Sequence, residues 1–260
     1  MNCIKPNRFQ DFFEENKYIF LKNYLYNYLL RKAAVKKSLD NEDLELVLEI
    51  GSGISPIIKP TNHIVYSDIS TTALQLLKNK YDEGLYVLAD GACLPFKSNI
   101  FSHAVCSEVL EHIRDDWGAL KELARVLRPL GGLIVTFPHQ KFYFTIDDRF
   151  VNHFRRYDLS DMENRMNAAG LKVINIEKVL GPLEKLTMCF FILCFSIFQN
   201  LMPKQKKTVT ASRIFNLFLA LFKWTNRLYK GLVCIDAKIM PRTFSTVLLV
   251  KAVVMKSSVQ

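Results

Sequence analysis

The sequence predicts an α/β fold built on a seven-stranded, mostly parallel sheet. Strand-like and helix-like segments alternate along most of the chain, which favours parallel strands joined by crossover helices. A glycine-rich turn, Gly51-Ser52-Gly53, follows the first strand directly, and the acids Asp68 and Asp90 end the second and third strands. Half of the 260 residues are hydrophobic, so the chain is able to bury a sizeable core.

The predicted strands are short apolar runs bounded by turn residues. In chain order they are Leu46–Ile50, Ile64–Tyr66, Leu85–Leu88, His103–Cys106, Leu133–Phe137, Leu171–Val179 and Thr246–Val254. Helical periodicity and helix stop signals predict helices at residues 8–38, Thr71–Lys78, Trp117–Leu127 and Leu159–Ala169. Between the sixth and seventh strands lie about sixty residues that a bare sheet does not need.

This insertion is both apolar and basic. Leu186–Pro203 carries no charge, and Ile214–Leu228 is interrupted by only two cations. Residues 181–260 hold 12 Lys and Arg against two acids, so they account for the whole net charge of +10. Cations beside an apolar face suit an interfacial helix at an anionic membrane surface, whereas a buried cap over the acceptor pocket is the alternative.

These segments predict three parts of the chain. The first is an N-terminal helical cap at residues 1–43, and the second is the sheet domain at residues 44–180 and 243–260. The third is the hydrophobic, basic helical insertion at residues 181–242.

The first three strand ends carry residues suited to a nucleoside ligand. Glycine takes positive φ and lets a ligand approach the backbone closely. Pro56 stands where a dinucleotide fingerprint would have its third glycine, and Glu49 would repel a pyrophosphate, so a ligand with an ammonium group fits better. Asp68 is placed to accept both ribose hydroxyls and Asp90 to meet an adenine amino group, because ligands of open parallel sheets bind at this edge.

Five segments together indicate a family. The chain contains, in order, LEIGSG, YSDIS, LADGACLPF, CSEVLEHI and LARVLRPLGGLIVTFP. This order resembles the class I S-adenosylmethionine-dependent methyltransferases, of the methyltransferase type 11 kind, over roughly residues 44–180 and 243–254. The resemblance implies a Rossmann-like sheet with an antiparallel last strand and S-adenosyl-L-methionine as cofactor. It also implies a cofactor site made of Glu49, Gly51, Ser52, Gly53, Asp68, Ile69, Asp90, Gly91, Ala92 and Ser107.

Glu108, Glu111 and His112 raise the question of a metal. They resemble the ExxEH metal-binding set of certain quinone O-methyltransferases, and in a helix all three would share one face. The alternative is a polar helix face near the cofactor edge, and we expect no metal there.

Three histidines are candidates for the acceptor side of the site: His112, His139 and His153. The last lies in Asn152–Tyr157, which resembles a segment of methyltransferases found near surface-polysaccharide genes. A loop histidine beside two arginines suits an anionic acceptor or a general base. Equally, Arg155 would brace the loop by pairing with Asp147 or Asp148.

The sequence favours methyl transfer to oxygen on a small-molecule or lipid-linked acceptor, such as a glycan or a quinone-like compound. No Asn-Pro-Pro-Tyr-type motif follows the fourth strand, which disfavours adenine or glutamine as acceptor. An RNA methyltransferase and a non-catalytic S-adenosylmethionine-binding module are the alternatives. Nucleic acid is disfavoured, because the C-terminal cations are interleaved with apolar residues.

The expected location is cytoplasmic, with or without peripheral contact with the inner face of the membrane. The first residues lack the apolar core of a signal peptide, and the six cysteines show neither a CxxC pair nor zinc spacing. Both features are typical of a chain in a reducing compartment.

Overall fold

The computed structural model describes residues 23–190 and 213–255. The helices are α1 (Tyr26–Leu39), α2 (Thr71–Lys80), α3 (Asp116–Val126), α4 (Ile146–Phe150), α5 (Leu159–Ala168) and α6 (Arg213–Ile239). The strands are β1 (Val47–Ile50), β2 (Ile64–Asp68), β3 (Leu85–Leu88), β4 (Phe101–Ser107), β5 (Leu127–Pro138), β6 (Leu171–Leu180) and β7 (Val247–Val254). Short 3₁₀ turns lie at Leu110–His112, Lys141–Tyr143 and Arg242–Phe244, and residues 182–190 are also helical.

The seven strands form one sheet in the order β3-β2-β1-β4-β5-β7-β6. The pairs from β3 to β5 are parallel, whereas β7 pairs antiparallel with both β5 and β6. The predicted mostly parallel sheet with an antiparallel last strand is therefore confirmed. The strand order reverses between β1 and β4, and open sheets bind ligands outside the carboxyl ends of such strands.

Helices cover both faces of the sheet. On one face, Leu48 of β1 and Leu133 of β5 belong to the same core as Leu123 of α3 and Met162 of α5. On the other face, a second core joins Val105 of β4 to side chains of α1 and α6. Successive strand residues point to opposite faces, so both sides of β1, β4 and β5 are apolar, as expected for strands buried on two sides.

The fifth strand begins earlier than predicted. Leu133–Phe137 was expected, with a stop signal just before it, but β5 starts at Leu127, directly after α3. Between the pairs Phe101–Leu127 and His103–Gly132, β5 advances five residues while β4 advances two. The residues that were expected to separate the helix from the strand therefore form a bulge within β5, which bends the strand but does not end its pairing with β4.

The two predicted helical appendages are described only in part. The N-terminal helix, expected at residues 8–38, is seen as α1, and residues 1–22 lie outside the described residues. The second apolar segment of the insertion lies within α6, which is longer than expected. Residues 191–212, with most of the uncharged run, also lie outside the described residues. None of the described helices is long and apolar enough to cross a membrane.

Candidate functional site

The turn after β1 is built around two glycines with positive φ. Gly51 has a φ of 65° and Gly53 a φ of 54°, a conformation that costs other residues about 1–2 kcal/mol. A Cβ atom at Gly51 would lie only 2.3 Å from Cγ2 of Val109. The turn is therefore closely covered by the segment that follows β4.

Asp68 holds this turn from the end of β2. Its Oδ2 accepts a hydrogen bond of 2.8 Å from the N–H of Gly53, and its Oδ1 accepts one of 2.8 Å from the N–H of Ser70. Ile69 follows and is half-buried. The two bonds orient the Asp68 carboxylate at the carboxyl edge of the sheet, where the sequence predicts the ribose site.

Glu49 holds the far end of the same loop. Its two carboxylate oxygens accept hydrogen bonds from the N–H groups of Ile57, at 2.7 Å, and Ile58, at 2.9 Å. The side chain is buried. Glu49 therefore shapes the loop that follows the glycine turn, and its contact with a ligand stays a prediction.

The third strand end carries Asp90 in a tight turn. Oδ1 of Asp90 accepts a hydrogen bond of 2.9 Å from the N–H of Ala92. A Cβ atom at the intervening Gly91 would lie 2.8 Å from Cδ1 of Ile113. Gly51 and Gly91 thus lie under the same segment, since Val109 and Ile113 are its two ends.

Buried hydroxyl groups test whether this edge fits a polar ligand. The Oγ atoms of Ser52 and Ser67 are buried and have no hydrogen-bond partner among the described residues. Such a group costs about 1–3 kcal/mol unless it is satisfied. Ser107, by contrast, pairs with the Thr136 hydroxyl at 2.7 Å. The first two hydroxyls, beside the glycine turn and Asp68, fit a bound nucleoside-type cofactor.

The segment after β4 is not a regular α-helix. Glu108 has a φ of 55°, and only a single 3₁₀ turn follows, at Leu110–His112. Oε2 of Glu108 lies 2.8 Å from Nη1 of Arg31, and its Oε1 accepts a hydrogen bond from Thr136. The condition under which Glu108, Glu111 and His112 would share one helical face is therefore not met, because Glu108 belongs to the turn that ends the strand.

Glu111 is fully buried, and neither of its carboxylate oxygens accepts a hydrogen bond in the described part of the chain. Burial, followed by the nearby charge of Glu108, raises its pKa well above the ordinary value. Its Oε1 lies 3.7 Å from Nε2 of His153.

The structure brings two of the three predicted histidines together. The rings of His112 and His153 lie 4.7 Å apart, edge to face. His139 lies at the end of β5, is 2% exposed, and its Nδ1 is 2.9 Å from the carbonyl oxygen of Ser245. Burial is the main cause that lowers the pKa of His139, so its ring is neutral at pH 7. Its backbone carbonyl accepts a hydrogen bond from Arg156.

A buried ion network stands behind His153. Nδ1 of His153 and Nε of Arg156 both lie 2.8 Å from Oδ1 of Asp148. Nζ of Lys185 lies 2.6 Å from Oδ2 of the same Asp148 and 2.7 Å from Asp147. Burial raises the pKa of Asp148, but the hydrogen bonds from His153 and Arg156 outweigh it and hold that pKa well below its ordinary value.

The pairing of Arg155 with Asp147 or Asp148, which was one of the two alternatives for this loop, is not found among the described residues. Arg155 points the other way, and its Nη1 lies 2.8 Å from Asp116. The next residue, Arg156, is the one that binds Asp148. Arg155 and Arg156 thus bind acids on two different helices, Asp116 of α3 and Asp148 of α4.

Comparison with known proteins agrees with this geometry. Residues 48–135 match the family model described as a methyltransferase domain. Residues 48–135 therefore form a methyltransferase domain.

The relatives of this methyltransferase domain include two enzymes named for quinone biosynthesis. A demethylmenaquinone methyltransferase of Streptomyces griseus is 29% identical over 110 residues, which are 41% of this chain and 48% of that protein. A ubiquinone/menaquinone biosynthesis C-methyltransferase of Hahella chejuensis is 32% identical over 102 residues, or 34% of this chain and 41% of that protein. The chain thus spans less than half the length of these curated relatives.

The fold is also found in a solved structure with the cofactor bound. Phosphoethanolamine N-methyltransferase 2 of Haemonchus contortus, in complex with S-adenosyl-L-methionine, has a TM-score of 0.59 and 17% identity. The likeness covers 96% of this chain and 61% of that one. Together with the family match, it supports S-adenosyl-L-methionine as the cofactor of the methyltransferase domain.

Sequence reasoning missed the role of several residues around the methyltransferase domain's acceptor side. Lys185 was read only as part of a basic insertion, and Glu111 only as part of a motif, yet both are buried at the histidine cluster. A lone lysine beside a long apolar run was the one available signal for the first. The sequence offers none for the contact of Glu111 with His153, because 42 positions separate them.

Proposed function

We propose that this chain transfers a methyl group from S-adenosyl-L-methionine to oxygen on a small-molecule or lipid-linked acceptor, such as a glycan or a quinone-like compound. One observation carries the proposal. The glycine turn after β1, Asp68 after β2 and Asp90 after β3 meet at one edge, beside the buried hydroxyls of Ser52 and Ser67. The menaquinone and ubiquinone names of the relatives support a small-molecule acceptor.

Each strand end contacts a different part of the cofactor. The backbone at Gly51 and Gly53 meets the methionine part, Asp68 accepts the ribose hydroxyls, and Asp90 meets the adenine amino group. The cofactor, when bound, supplies a methyl group activated on a sulfonium. Ser52, Ile69, Gly91, Ala92 and Ser107 complete the proposed pocket. Glu49 acts through the loop that it holds by the N–H groups of Ile57 and Ile58.

On the acceptor side the protein must align an oxygen, exclude water and accept a proton. His112, His139 and His153 are the residues we assign to this side. His139 suits the proton-accepting task, because its ring is neutral and its orientation is fixed by the Ser245 carbonyl oxygen.

Calorimetric titration with S-adenosyl-L-methionine tests the cofactor site. Asp68→Ala removes the proposed ribose acceptor, a charge-assisted bond of roughly 1.5–3 kcal/mol, and Gly53→Arg fills the turn. Both variants should lose cofactor binding while circular dichroism shows a folded protein. Asp82→Ala, an exposed aspartate on the α2–β3 loop, is the matched control and should bind normally. Undiminished affinity in both site variants would overturn the assignment.

Turnover tests the acceptor side. The labelled cofactor is incubated with fractionated cell lipids and glycans, and the fraction that takes the label contains the acceptor. Asparagine variants of the three histidines should keep cofactor affinity, and at least one should lose turnover. If all three keep full turnover, the enzyme works by alignment alone and the histidine assignment is wrong.

We further propose that the insertion at residues 181–242 brings the enzyme to an anionic membrane surface. One side of α6 is an exposed apolar stripe at helical spacing, formed by Trp224, Leu228, Leu232, Ile235 and Ile239, each more than half exposed. Leu228 and Leu232 of this stripe line a groove of about 630 Å³ together with Leu186 and Phe190. A helix with one apolar side and cations around it suits the interface of an anionic bilayer.

The charge on α6 supports this partner. The helix carries Arg213, Lys223, Arg227, Lys230 and Lys238 and a single acid, Asp236. The Asp236 carboxylate accepts a hydrogen bond from the N–H of Leu183 and so faces the protein. Lys204, Lys206 and Lys207 add to this charge in the sequence, although they lie outside the described residues.

Sedimentation with vesicles tests the membrane proposal. Binding should be stronger to phosphatidylserine-containing vesicles than to pure phosphatidylcholine, and salt should weaken but not abolish it, because apolar insertion persists. Leu228→Ser combined with Leu232→Ser should reduce binding to both vesicle types. Leu76→Ser, at an exposed leucine of α2 near the other end of the sheet, is the control. A chain that ignores vesicles, or that buries the stripe in a dimer, would contradict the proposal.

A further inference from the structure

The cluster formed by Glu111, His112 and His153 has the composition of a metal site. One ligand atom from each of these three side chains lies within 4.8 Å of the others. Glu111 is fully buried, and its carboxylate lacks any hydrogen-bond donor in the described part of the chain. An ionised carboxylate buried in this way costs several kcal/mol unless a cation or a donor compensates it.

The rings of His112 and His153 are each oriented by a hydrogen bond at Nδ1. Nδ1 of His153 lies 2.8 Å from Oδ1 of Asp148, so Nδ1 carries the proton and the lone pair of Nε2 faces Glu111. Nδ1 of His112 lies 3.3 Å from the carbonyl oxygen of Asn152, which fixes its tautomer in the same way. Metal-binding histidines almost always make such a bond with the ring nitrogen that does not bind the metal.

The Asp148 carboxylate is itself firmly held. Arg156 and Lys185 bind it at 2.8 Å and 2.6 Å, and its side chain is fully buried. The Asp148–His153 pair therefore forms the carboxylate–histidine arrangement that raises the basicity of a ligand and fixes its direction.

We propose that Glu111, His112 and His153 bind one divalent transition-metal ion, of the class that includes Zn²⁺ and Co²⁺. Two imidazoles and a carboxylate are a donor set that such ions prefer. Ligand atoms at about 2.0–2.1 Å from a tetrahedral ion lie about 3.3 Å apart. The 3.7 Å between Glu111 and His153 is close to this value, so a small movement of the side chains is sufficient.

This set differs from the ExxEH motif noted in the sequence. Glu108, which the motif includes, is bound by Arg31 and Thr136 and belongs to the turn after β4. His153, which the motif lacks, comes from the loop after α4 and replaces it. Two of the three ligands thus follow β4 in sequence and the third is brought in by the fold.

The position suggests a task for the ion, and this task rests on the proposed function. Val109 and Ile113, which flank Glu111 and His112, lie against Gly51 and Gly91 of the proposed cofactor edge. Three protein ligands leave a fourth position open, where the oxygen of the acceptor binds and loses its proton more easily. His112 and His153 then act as ligands, and His139 remains as the proton acceptor.

Metal binding is tested on the full chain without any assay of methyl transfer. The protein is stripped with a chelator and titrated with Co²⁺ in a calorimeter and by visible absorption. One equivalent should bind, with the d–d absorption of a nitrogen- and oxygen-ligated ion and no near-ultraviolet thiolate band. Glu111→Gln, His112→Asn and His153→Asn should each abolish Co²⁺ binding. Asp148→Asn should weaken the affinity for Co²⁺ by about 10–100-fold.

His63→Asn, at an exposed histidine far along the chain, is the control and should bind Co²⁺ as the wild type does. Anomalous scattering from wild-type crystals soaked in Zn²⁺ gives a second readout that needs no variant, and the peak should lie between the three side chains. No bound equivalent, a thiolate-ligated ion, or a hydrogen bond between Glu111 and His153 at saturating Zn²⁺ would overturn the proposal. Methyl transfer that survives such a result leaves the proposed function standing, whereas metal binding without methyl transfer refutes only that function.

Discussion

Removal of Lys185 tests how strongly the buried ion network holds α4 to the chain after β6. Nζ of Lys185 lies 2.7 Å from Oδ1 of Asp147 and 2.6 Å from Oδ2 of Asp148, and its side chain is 5% exposed. In Lys185→Met, Asp147 loses the cation that pairs with it, whereas Asp148 keeps its bonds to Arg156 and His153. Breaking a buried pair in this way costs about 3–5 kcal/mol. We expect the free energy of unfolding at pH 7 to fall by about this amount.

Urea unfolding followed by circular dichroism measures the loss. Lys37→Met is the matched control, because Nζ of Lys37 pairs with Glu177 at 3.2 Å but its side chain is 71% exposed. An exposed pair contributes about 0–1 kcal/mol. Asp147→Asn combined with Lys185→Met rebalances the charge and should recover part of the loss. The reasoning is refuted if the two single variants lose equal stability, or if the double variant gains nothing over Lys185→Met.

Three further predictions concern substitutions at single positions. Gly51→Ala should weaken S-adenosyl-L-methionine binding about tenfold by calorimetry, because its φ is 65° and the new Cβ would lie 2.3 Å from Val109; unchanged affinity would contradict this. Gly231→Ala should raise stability by about 0.5–1 kcal/mol, since it lies within α6 and no heavy atom is within 4 Å of the new Cβ; a lower melting temperature would count against it. Burial lowers the pKa of His139, so the unfolded chain takes up this proton first as pH falls. The contribution of neutral His139 to the free energy of unfolding is thus complete above about pH 6.5 and declines below it. His139→Asn should flatten that decline in urea midpoints measured from pH 7.5 to 5. An identical slope in the variant would show that other groups cause the decline.

The sheet could be predicted from the sequence because its signals are local. Each buried strand is an apolar run, and the glycine turn and acids at the ends of β1, β2 and β3 stand beside the runs that position them. Leu127 at the start of β5 was missed, because a bulge keeps a strand paired through residues that look like a stop signal. The backbone conformation of Glu108 could not be predicted, because a spacing of three and four residues says nothing about a single residue with positive φ.

The acceptor side was predictable only as a set of residue types. His139 was found because it follows a predicted strand, His112 because it belongs to the ExxEH set, and His153 because it stands in an unusual loop cluster. Most of their partners, however, come from distant parts of the chain. Asp148 is five positions from His153, yet Lys185 reaches the same carboxylate from beyond β6, and Glu111 meets His153 from the segment after β4. Local periodicity carries no information on such contacts, since they depend on how the elements pack.

The position of β7 sets an order of events during synthesis. β7 is the last strand along the chain, yet it lies between β5 and β6 and provides the only pairing that β6 makes within the described sheet. The parallel half, from β3 to β5, can assemble as it leaves the ribosome, but β6 must wait for the whole insertion and then for β7. Until β7 is added, the edge of β5 is unpaired, and the apolar insertion follows a strand that has not yet joined the sheet. A membrane surface or a chaperone that meets the nascent chain during this interval would meet the insertion before the fold is closed.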